Sequence, residues 1–336
     1  MQKRPALNIA SRLKSAYLRR RILTTILIFF VVYVINFILP RLEPGNVLAA
    51  IHDSDLLPSQ RTALLNMLGV TQPWSVQFVN YLKDTFLTFP PNFGVSFAHY
   101  PLTVWLLVSQ ALPWTLLLVG ISQAVAWCVG VPFGAWLAWH RGSKLDSLIV
   151  GLSNFMWGVP SYWLATILIY AFAIRLHWFP AALSASGAVS LTLGGIAGVL
   201  AHSFLPILTL ILLNFPIHAL VMRNTMVGVL QEDFVKAAEA RGLKYRTLLL
   251  GHAARNALLP SITNLALSFG SILSGAYLVE IIFSYPGMGY LIEQSALGRD
   301  YPVLEAIFFF SAMLVLIANF LADIAYVLLD PRVAYE

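Results

Sequence analysis

The sequence predicts an all-α membrane protein with six transmembrane helices and a small external helical segment after the first helix. Of its 336 residues, 59% are hydrophobic and only 11% are charged, whereas charged residues make up about a quarter of an ordinary soluble domain. The mean hydropathy is +0.76. Apolar runs recur along the chain, each near or above the roughly 20 residues that a helix needs to cross a bilayer. The composition and these runs together place the chain in a membrane.

The predicted spans cover residues 22–40, 110–138, 147–174, 203–222, 260–283 and 303–328. Six crossings return both termini to one side of the membrane. Of the 21 Lys and Arg residues, 16 then lie on that side and five on the other, and basic residues accumulate on the cytoplasmic side. We therefore expect a multi-pass protein of the cell membrane with cytoplasmic termini. Residues 189–202 are apolar enough to hide an extra interfacial helix.

The N-terminal residues 1–21 carry seven basic residues and no acidic one, directly before the first apolar run. That run is long enough to span the membrane, so residues 22–40 are predicted to be a retained first helix and not a cleaved signal peptide. The net charge of +6 is explained by the basic residues that accumulate on the predicted cytoplasmic side of the membrane. This distribution favours membrane lipid over nucleic acid as the partner. Cys128 is the one cysteine, which excludes a disulfide or a cysteine metal site within the chain.

Residues 41–105 form the predicted external segment. Apolar residues at a spacing of three to four predict two short helices around Gly69 and Pro73. Next, a tight basic turn at 140–146 joins the second and third spans. A Gly-x-Pro-x-Gly sequence at 130–134 precedes this turn, and small residues of this kind allow helices to approach closely in membranes.

Residues 231–260 form an amphipathic segment between two long apolar ones, so they lie outside the bilayer. Its apolar stripe comprises Phe234, Val235, Ala238 and Leu243. Gly242 breaks the helix there and can take the positive φ of a sharp elbow. A second short amphipathic run follows, which Pro260 ends or leads into the next span. Two short helices at such an elbow form a knob that a soluble partner can grip, although an amphipathic loop on lipid headgroups is an alternative.

Several polar residues lie within or near the predicted spans. Glu280, near the outer end of the fifth, is a functional candidate because a carboxylate there is costly; alternatively, it is locked by a partner and fixes the following loop. Residues 283–289 are predicted to form a tight turn that reverses the direction of the chain and narrows a pore. His202 is favoured as a helix-end hydrogen bonder over a proton relay, and an interhelical hydrogen bond is favoured for Asp323 over a transport role. The path or gate candidates are Glu280, Phe283, Pro286, Gly287 and Gly289, and the structural polar residues are Arg223, Asn319 and Asp323.

Lys236-Ala237-Ala238, followed at fixed spacing by Gly242, His252, Asn256 and Pro260, resembles the "EAA" loop of ABC-importer permeases. The wider chain resembles the B-type permease subunit of dipeptide, oligopeptide and nickel ABC importers. Two departures are Lys236, where the family has Glu, and Asn92-Phe93, where it usually has Gly-Asp. The matching blocks lie at residues 68–78, 92–96, 101–104, 159–164, 177–180, 202–206, 223–226, 278–289, 299–302, 319–326 and 330–332.

The resemblance implies a five-helix permease core over 106–336, with a cytoplasmic coupling loop at 231–260. It also implies a second homologous permease subunit, two cytoplasmic ATPase subunits and an external solute-binding protein. The sequence contains no G-x-x-x-x-G-K-[ST] phosphate loop, so ATP and Mg are expected on the partner subunits, with no cofactor on this chain and no enzymatic activity of its own. The residues that the resemblance assigns to ATPase coupling are Asp233, Lys236, Ala237, Ala238, Gly242, His252, Asn256 and Pro260.

The resemblance leaves the cargo open: peptides are the family's commonest cargo, oligosaccharides are the alternative, and nickel is a less favoured one. Tryptophans could stack on sugars or pack against lipid: Trp114, Trp127, Trp136, Trp157 and Trp163. The external segment either caps the pore mouth and docks the binding protein or only shields helix ends. A stand-alone secondary transporter would show inverted repeats and midplane charges, and a membrane enzyme would show a catalytic constellation; the sequence shows neither pattern.

Overall fold

The computed structural model describes residues 16–42, 71–181, 193–243, 247 and 253–329, with side chains for most of them. Over these residues the chain is helical, and its one β pairing there is an isolated bridge between Val95 and Thr103. The all-α prediction is therefore confirmed. The α-helices are α1 (Ala16–Leu42), α2 (Trp74–Phe86), α3 (Val104–Trp139), α4 (Lys144–Trp157), α5 (Ser161–Leu168), α6 (Leu193–Val229), α7 (Asp233–Ala240), α8 (Ala254–Ile282), α9 (Met288–Leu297) and α10 (Tyr301–Leu329).

Four helices in the described part of the chain are long and apolar enough to cross a membrane. They are Arg19–Leu39 within α1, Val104–Trp139, Gly198–Val229 and Tyr301–Leu321 within α10. A bent pair of helices between α3 and α6 makes a fifth if it counts as one span. Helix α8 begins six residues before the predicted fifth span and covers nearly all of it, and the side chains of 255, 266, 267 and 269–275 within it lie outside the described residues.

The predicted third span, residues 147–174, is two helices. Helix α4 ends at Trp157, and α5 continues as a π-helix over Ile169–Arg175. The two parts meet at an angle of 103°. Pro160 causes the break, because it lacks an N–H and disfavours the helical conformation for the residue before it.

Helices α3 and α6 pack closely along their length, and glycines make this possible. A Cβ atom on Gly134 would lie 2.2 Å from the carbonyl oxygen of Ala219, and one on Gly130 would lie 3.0 Å from that of Phe215. Each is a contact with backbone, which cannot move aside as a side chain can. The predicted role of the Gly-x-Pro-x-Gly sequence in close helix approach is confirmed.

Helix α6 begins earlier than the sequence predicts. It starts at Leu193 and runs unbroken to Val229, so residues 193–202 extend the fourth span and form no separate interfacial helix; residues 189–192 lie outside the described residues. His202 is consequently inside the helix and does not open it. Its Nδ1 lies 2.7 Å from the carbonyl oxygen of Gly198, one turn earlier.

Helix α2 is the second of the two predicted external helices, and the first lies outside the described residues. It packs on α1 through Tyr33, whose ring stacks on Tyr81 with the centroids 4.7 Å apart. Helix α10 closes the group: Asn36 donates to the carbonyl oxygen of Glu305 at 2.7 Å, and Arg41 forms an ion pair with the Glu305 carboxylate. Helix α9 was not predicted; it is a short helix in the connection between α8 and α10.

Candidate functional site

The elbow at 231–260 begins with α7, an eight-residue amphipathic helix. Val235 is buried and Ala238 is half-buried, whereas Phe234 and Ala237 are exposed. Val235 therefore holds α7 against the rest of the chain, while the opposite face stays open. Gly242 ends the segment with φ +74°, a conformation that favours glycine. The predicted positive φ at Gly242 is confirmed, and residues 244–246 and 248–252, which follow it, lie outside the described residues.

The charges on α7 pair within the helix. Lys236 Nζ lies 3.2 Å from Asp233 Oδ1, one turn earlier, and both side chains are largely exposed. An exposed pair of this kind contributes little to stability. The lysine that replaces the expected glutamate is thus oriented by its own helix, and both charges remain accessible to a partner.

The far side of the elbow is the start of α8. Ala253 and Ala257 are fully buried in an apolar cluster with residues of α3 and α6, whereas Asn256 and Pro260 are exposed. Pro260 lies inside α8 and does not end it. His252 lies outside the described residues. The start of α8 is therefore fixed to the helix bundle on one face and open on the other.

Arg223 joins the α3–α4 turn to the end of α6 beside this elbow. Its Nη2 lies 2.7 Å from Asp146 Oδ2 and its Nε lies 3.1 Å from Asp146 Oδ1, which is the two-pronged geometry that guanidinium and carboxylate groups favour. Asp146 is 3% exposed and also accepts the Gly142 N–H at 3.0 Å. Arg223 was predicted as a structural polar residue, but its partner was not; the available signal was that Asp146 is a single carboxylate in an otherwise basic turn.

We expect Arg223→Met to destabilise the chain by about 3 kcal/mol, because it leaves the buried Asp146 carboxylate without its counter-charge. The measurement is thermal unfolding of the detergent-solubilised chain. The control is Lys144→Met in the same turn, where the side chain is exposed and little change is expected. A second change, Asp146→Leu in the Arg223→Met background, should recover part of the loss; if it adds a further loss, the ion pair is not the cause.

The loop after α8 is built around Glu280. This residue is fully buried, and its Oε2 accepts the Gly289 N–H at 2.6 Å. A Cβ atom on Gly287 would lie 2.4 Å from the Glu280 carboxyl carbon, and one on Gly289 would lie 2.4 Å from Tyr277 Cα. Two glycines are therefore required for the loop to fold back onto the carboxylate and α8. The predicted tight reversal at 283–289 is present.

The reversal is closed by further contacts. Phe283 is buried and Pro286 is half-buried, and the Met288 N–H donates to Thr115 Oγ1 of α3 at 2.8 Å. The loop is thereby attached to both α8 and α3. Glu280 lies at its centre, where it can fix the loop or line a path.

Glu280→Gln separates these two roles. The amide keeps an oxygen that accepts the Gly289 N–H, so we expect unfolding temperature within a few degrees of the wild type, whereas Glu280→Ala leaves that N–H buried and unpaired, at a cost of about 1–3 kcal/mol. If the carboxylate only fixes the loop, the solute uptake that the sequence resemblance implies should be the same in Glu280→Gln as in the wild type. A stable Gln variant with much lower uptake would instead make the charge itself part of the path.

Asp300 ties the segment before α3 to the start of α10. Its carboxylate accepts the Ser96 hydroxyl, the Phe97 N–H at 3.0 Å and the Ala98 N–H at 3.2 Å. Two sequence motifs that are 204 residues apart are thus in direct contact.

On α10, Asn319 is half-buried. The side chain of Asp323, with its predicted interhelical bond, lies outside the described residues.

These features define a multi-pass helical membrane protein with an exposed amphipathic elbow beside one end of its bundle. The chain belongs to the family described as the binding-protein-dependent transport system inner membrane component, whose model matches residues 130–335. That range includes the elbow, the Arg223–Asp146 pair and the Glu280 loop. The resemblance of the sequence to ABC-importer permeases is thereby confirmed.

Among the similar proteins, the oligopeptide transport system permease protein AppB of Bacillus subtilis is 34% identical over 322 residues, which is 96% of this chain and 100% of that protein. The oligopeptide transport system permease protein OppB of Haemophilus influenzae is 29% identical over 319 residues, 95% of this chain and 99% of that protein. A crystal structure of an amino acid ABC transporter with histidines aligns with 66% of this chain and 92% of that one, at a TM-score of 0.49 and 17% identity.

Proposed function

We propose that this chain is the transmembrane permease subunit of a binding-protein-dependent ABC importer of oligopeptides or dipeptides, and that it forms half of the translocation path. The observation that carries the proposal is the similarity to AppB, which covers nearly the whole of both chains. The partners are a second homologous permease, two cytoplasmic ATPase subunits with their ATP and Mg, and an external solute-binding protein.

The proposed topology has six spans, with the basic residues 1–21 and the C-terminus in the cytoplasm. Residues 22–40 are the first span, residues 41–105 the external segment and residues 106–336 the five-helix core. The basic residues support this orientation, since 16 of 21 lie on the proposed cytoplasmic side. The bent α4–α5 pair and α8 supply the two spans beyond the four that stand alone.

The proposed mechanism begins at the coupling loop, residues 231–260. The exposed face of α7 and the start of α8 bind an ATPase subunit, and ATP-driven closure of the ATPases pulls on the loop. Because α8 continues directly from the loop, the pull moves α8 against the other helices and switches the bundle between inward- and outward-facing states, a rigid-body change. The Glu280 loop at the other end of α8 then opens or narrows the path.

Peptide is the proposed cargo, with oligosaccharide as the alternative and nickel as a less favoured one. Selectivity in such a system lies mainly in the binding protein. Three of the tryptophans named as candidates for stacking on sugars, Trp136, Trp157 and Trp163, are exposed in this chain. We propose that they contact lipid or a partner subunit and do not bind sugar.

The test is to purify the assembled complex with its binding protein and identify the bound solute by mass spectrometry. Peptides of two to several residues are the expected result. An oligosaccharide would keep the importer and replace its cargo. A complex that transports solute without any ATPase subunit would overturn the proposal in favour of a secondary transporter.

A further inference from the structure

A polar cluster lies inside the bundle, where α3, α6 and α8 meet. Gln123 of α3 and His218 of α6 are each 1% exposed, and Asn264 and Ser268 of α8 are half-buried. Gln123 Nε2 lies 2.7 Å from Ser268 Oγ and 2.9 Å from His218 Nε2, and Asn264 Nδ2 lies 3.4 Å from His218 Nδ1. Polar groups in a membrane interior are costly without partners, so this cluster has a structural or functional reason.

The hydrogen-bond chemistry of the cluster allows two arrangements. A neutral imidazole donates at one nitrogen and accepts at the other, so the amide groups of Gln123 and Asn264 cannot both donate to His218. One of them must present its oxygen. In the first arrangement, Gln123 donates to Ser268 and His218 Nε2, and His218 Nδ1–H donates to the oxygen of Asn264.

The second arrangement reverses every bond to the imidazole. Asn264 donates to His218 Nδ1, and His218 Nε2–H donates to Gln123 Oε1, an atom that otherwise has no hydrogen-bond partner among the described residues. Ser268, whose hydroxyl otherwise donates to the Leu265 carbonyl at 2.7 Å, can turn towards the same oxygen. Both arrangements satisfy His218 without a buried charge.

The cluster lies between α8 and the pair formed by α3 and α6. Helices α3 and α6 are held as one unit by the Gly130 and Gly134 contacts, whereas α8 continues from the coupling loop. The cluster therefore links α8, which the coupling loop would move, to α3 and α6, which would stay in place. Packed apolar surfaces allow small sliding movements, but a hydrogen-bonded network has discrete states, which is what a two-state transition needs.

We propose that Gln123, His218, Asn264 and Ser268 form a polar joint that exchanges its hydrogen bonds between these two arrangements as α8 moves against α3 and α6. The joint rests on the proposed function, because it presupposes that the coupling loop moves α8. These residues act as positioning residues: they transmit the state of the binding-protein side to the ATPases. They need make no contact with the cargo.

The test uses the complete complex in liposomes and compares ATP hydrolysis with and without loaded binding protein. Gln123→Met keeps the side-chain volume and removes the hydrogen bonds. We expect basal hydrolysis to persist and the stimulation by binding protein to fall roughly tenfold, a typical size for coupling between sites. The matched control is Ser122→Ala, since Ser122 is buried next to Gln123 but donates only to the Val119 carbonyl of its own helix. It should retain full stimulation.

Two further variants keep the test decisive if Gln123→Met fails to assemble. Ser268→Ala removes one acceptor at a half-buried position and should lower the stimulation about threefold, in the same direction. Gln123→Met combined with Asn264→Leu should be no worse than either change alone, because both break one chain of hydrogen bonds. Wild-type stimulation in Ser268→Ala, or losses that add in the combined variant, would overturn the joint.

The proposed cargo is judged separately in the same liposomes. Uptake of radiolabelled tetra-alanine by the wild-type complex tests peptide transport, whereas the ratio of variant to wild-type stimulation tests the joint. A wild-type complex that hydrolyses ATP with binding protein but accumulates no peptide counts against the cargo alone. Failure of the joint would leave peptide uptake by the wild type unaffected.

Discussion

Gly134→Ala should destabilise the chain more than any other single-methyl substitution in α3. The added Cβ would lie 2.2 Å from the carbonyl oxygen of Ala219 and 3.0 Å from Met222 Cβ. Neither contact can be relieved by rotating a flexible side chain, so α3 and α6 must separate and lose packing along their shared face. Overpacking of this kind costs about 1–3 kcal/mol, and a clash with backbone belongs at the upper end. The loss of stability is measured by unfolding the detergent-solubilised chain, either by heating or by steric trapping.

The same helix supplies a matched control for this prediction. Gly120 lies in α3, and no atom lies within 4 Å of the position that its Cβ would occupy. Gly120→Ala should therefore be neutral or stabilising by up to about 1 kcal/mol, the usual preference for alanine over glycine in a helix. Equal losses in the two variants would show that helix propensity, and not the close approach of α3 and α6, determines the effect.

Gly242→Val should lower transport about tenfold while leaving most of the chain folded. Gly242 has φ +74°, and there is open space around the position of its Cβ. The cost is therefore conformational, about 1–2 kcal/mol for a β-branched residue in the left-handed region, and it falls on the elbow alone. We expect α7 to change its direction, the binding of the ATPase subunits to weaken, and uptake to fall about tenfold, the change that a cost of about 1–2 kcal/mol at the elbow produces.

Gly142→Val is the control that separates the effect of changing the elbow from the effect of backbone strain alone. Gly142, in the α3–α4 turn, has φ +79° and equally open surroundings, so the same valine meets the same backbone penalty at a site with no predicted ATPase contact. It should lower stability without releasing the ATPases. Normal ATPase association and uptake in Gly242→Val would refute the role of Gly242 in ATPase coupling.

The helices and the elbow were predictable because their signals are local. A long apolar run needs a helix to satisfy its backbone in lipid, and this alone places α1, α3, α6 and α10. The elbow at Gly242 was predictable because glycine breaks the helix within this amphipathic segment and can take a positive φ. The break at residues 158–160 carried a signal too, in Gly158 and Pro160, but the continuous apolar composition of residues 147–174 concealed it.

The sequence by itself determined the class of protein, the positions of most helices and the glycines that allow close contact, since these depend on composition and short-range periodicity. Only the tertiary structure decided which polar groups meet. Arg223 and Asp146 are 77 residues apart, Gln123 and His218 are 95 apart, and Ser96 and Asp300 are 204 apart. The pairing depends on how helices turn and slide against one another, and a helical period fixes the face of a helix but not the neighbour that this face contacts.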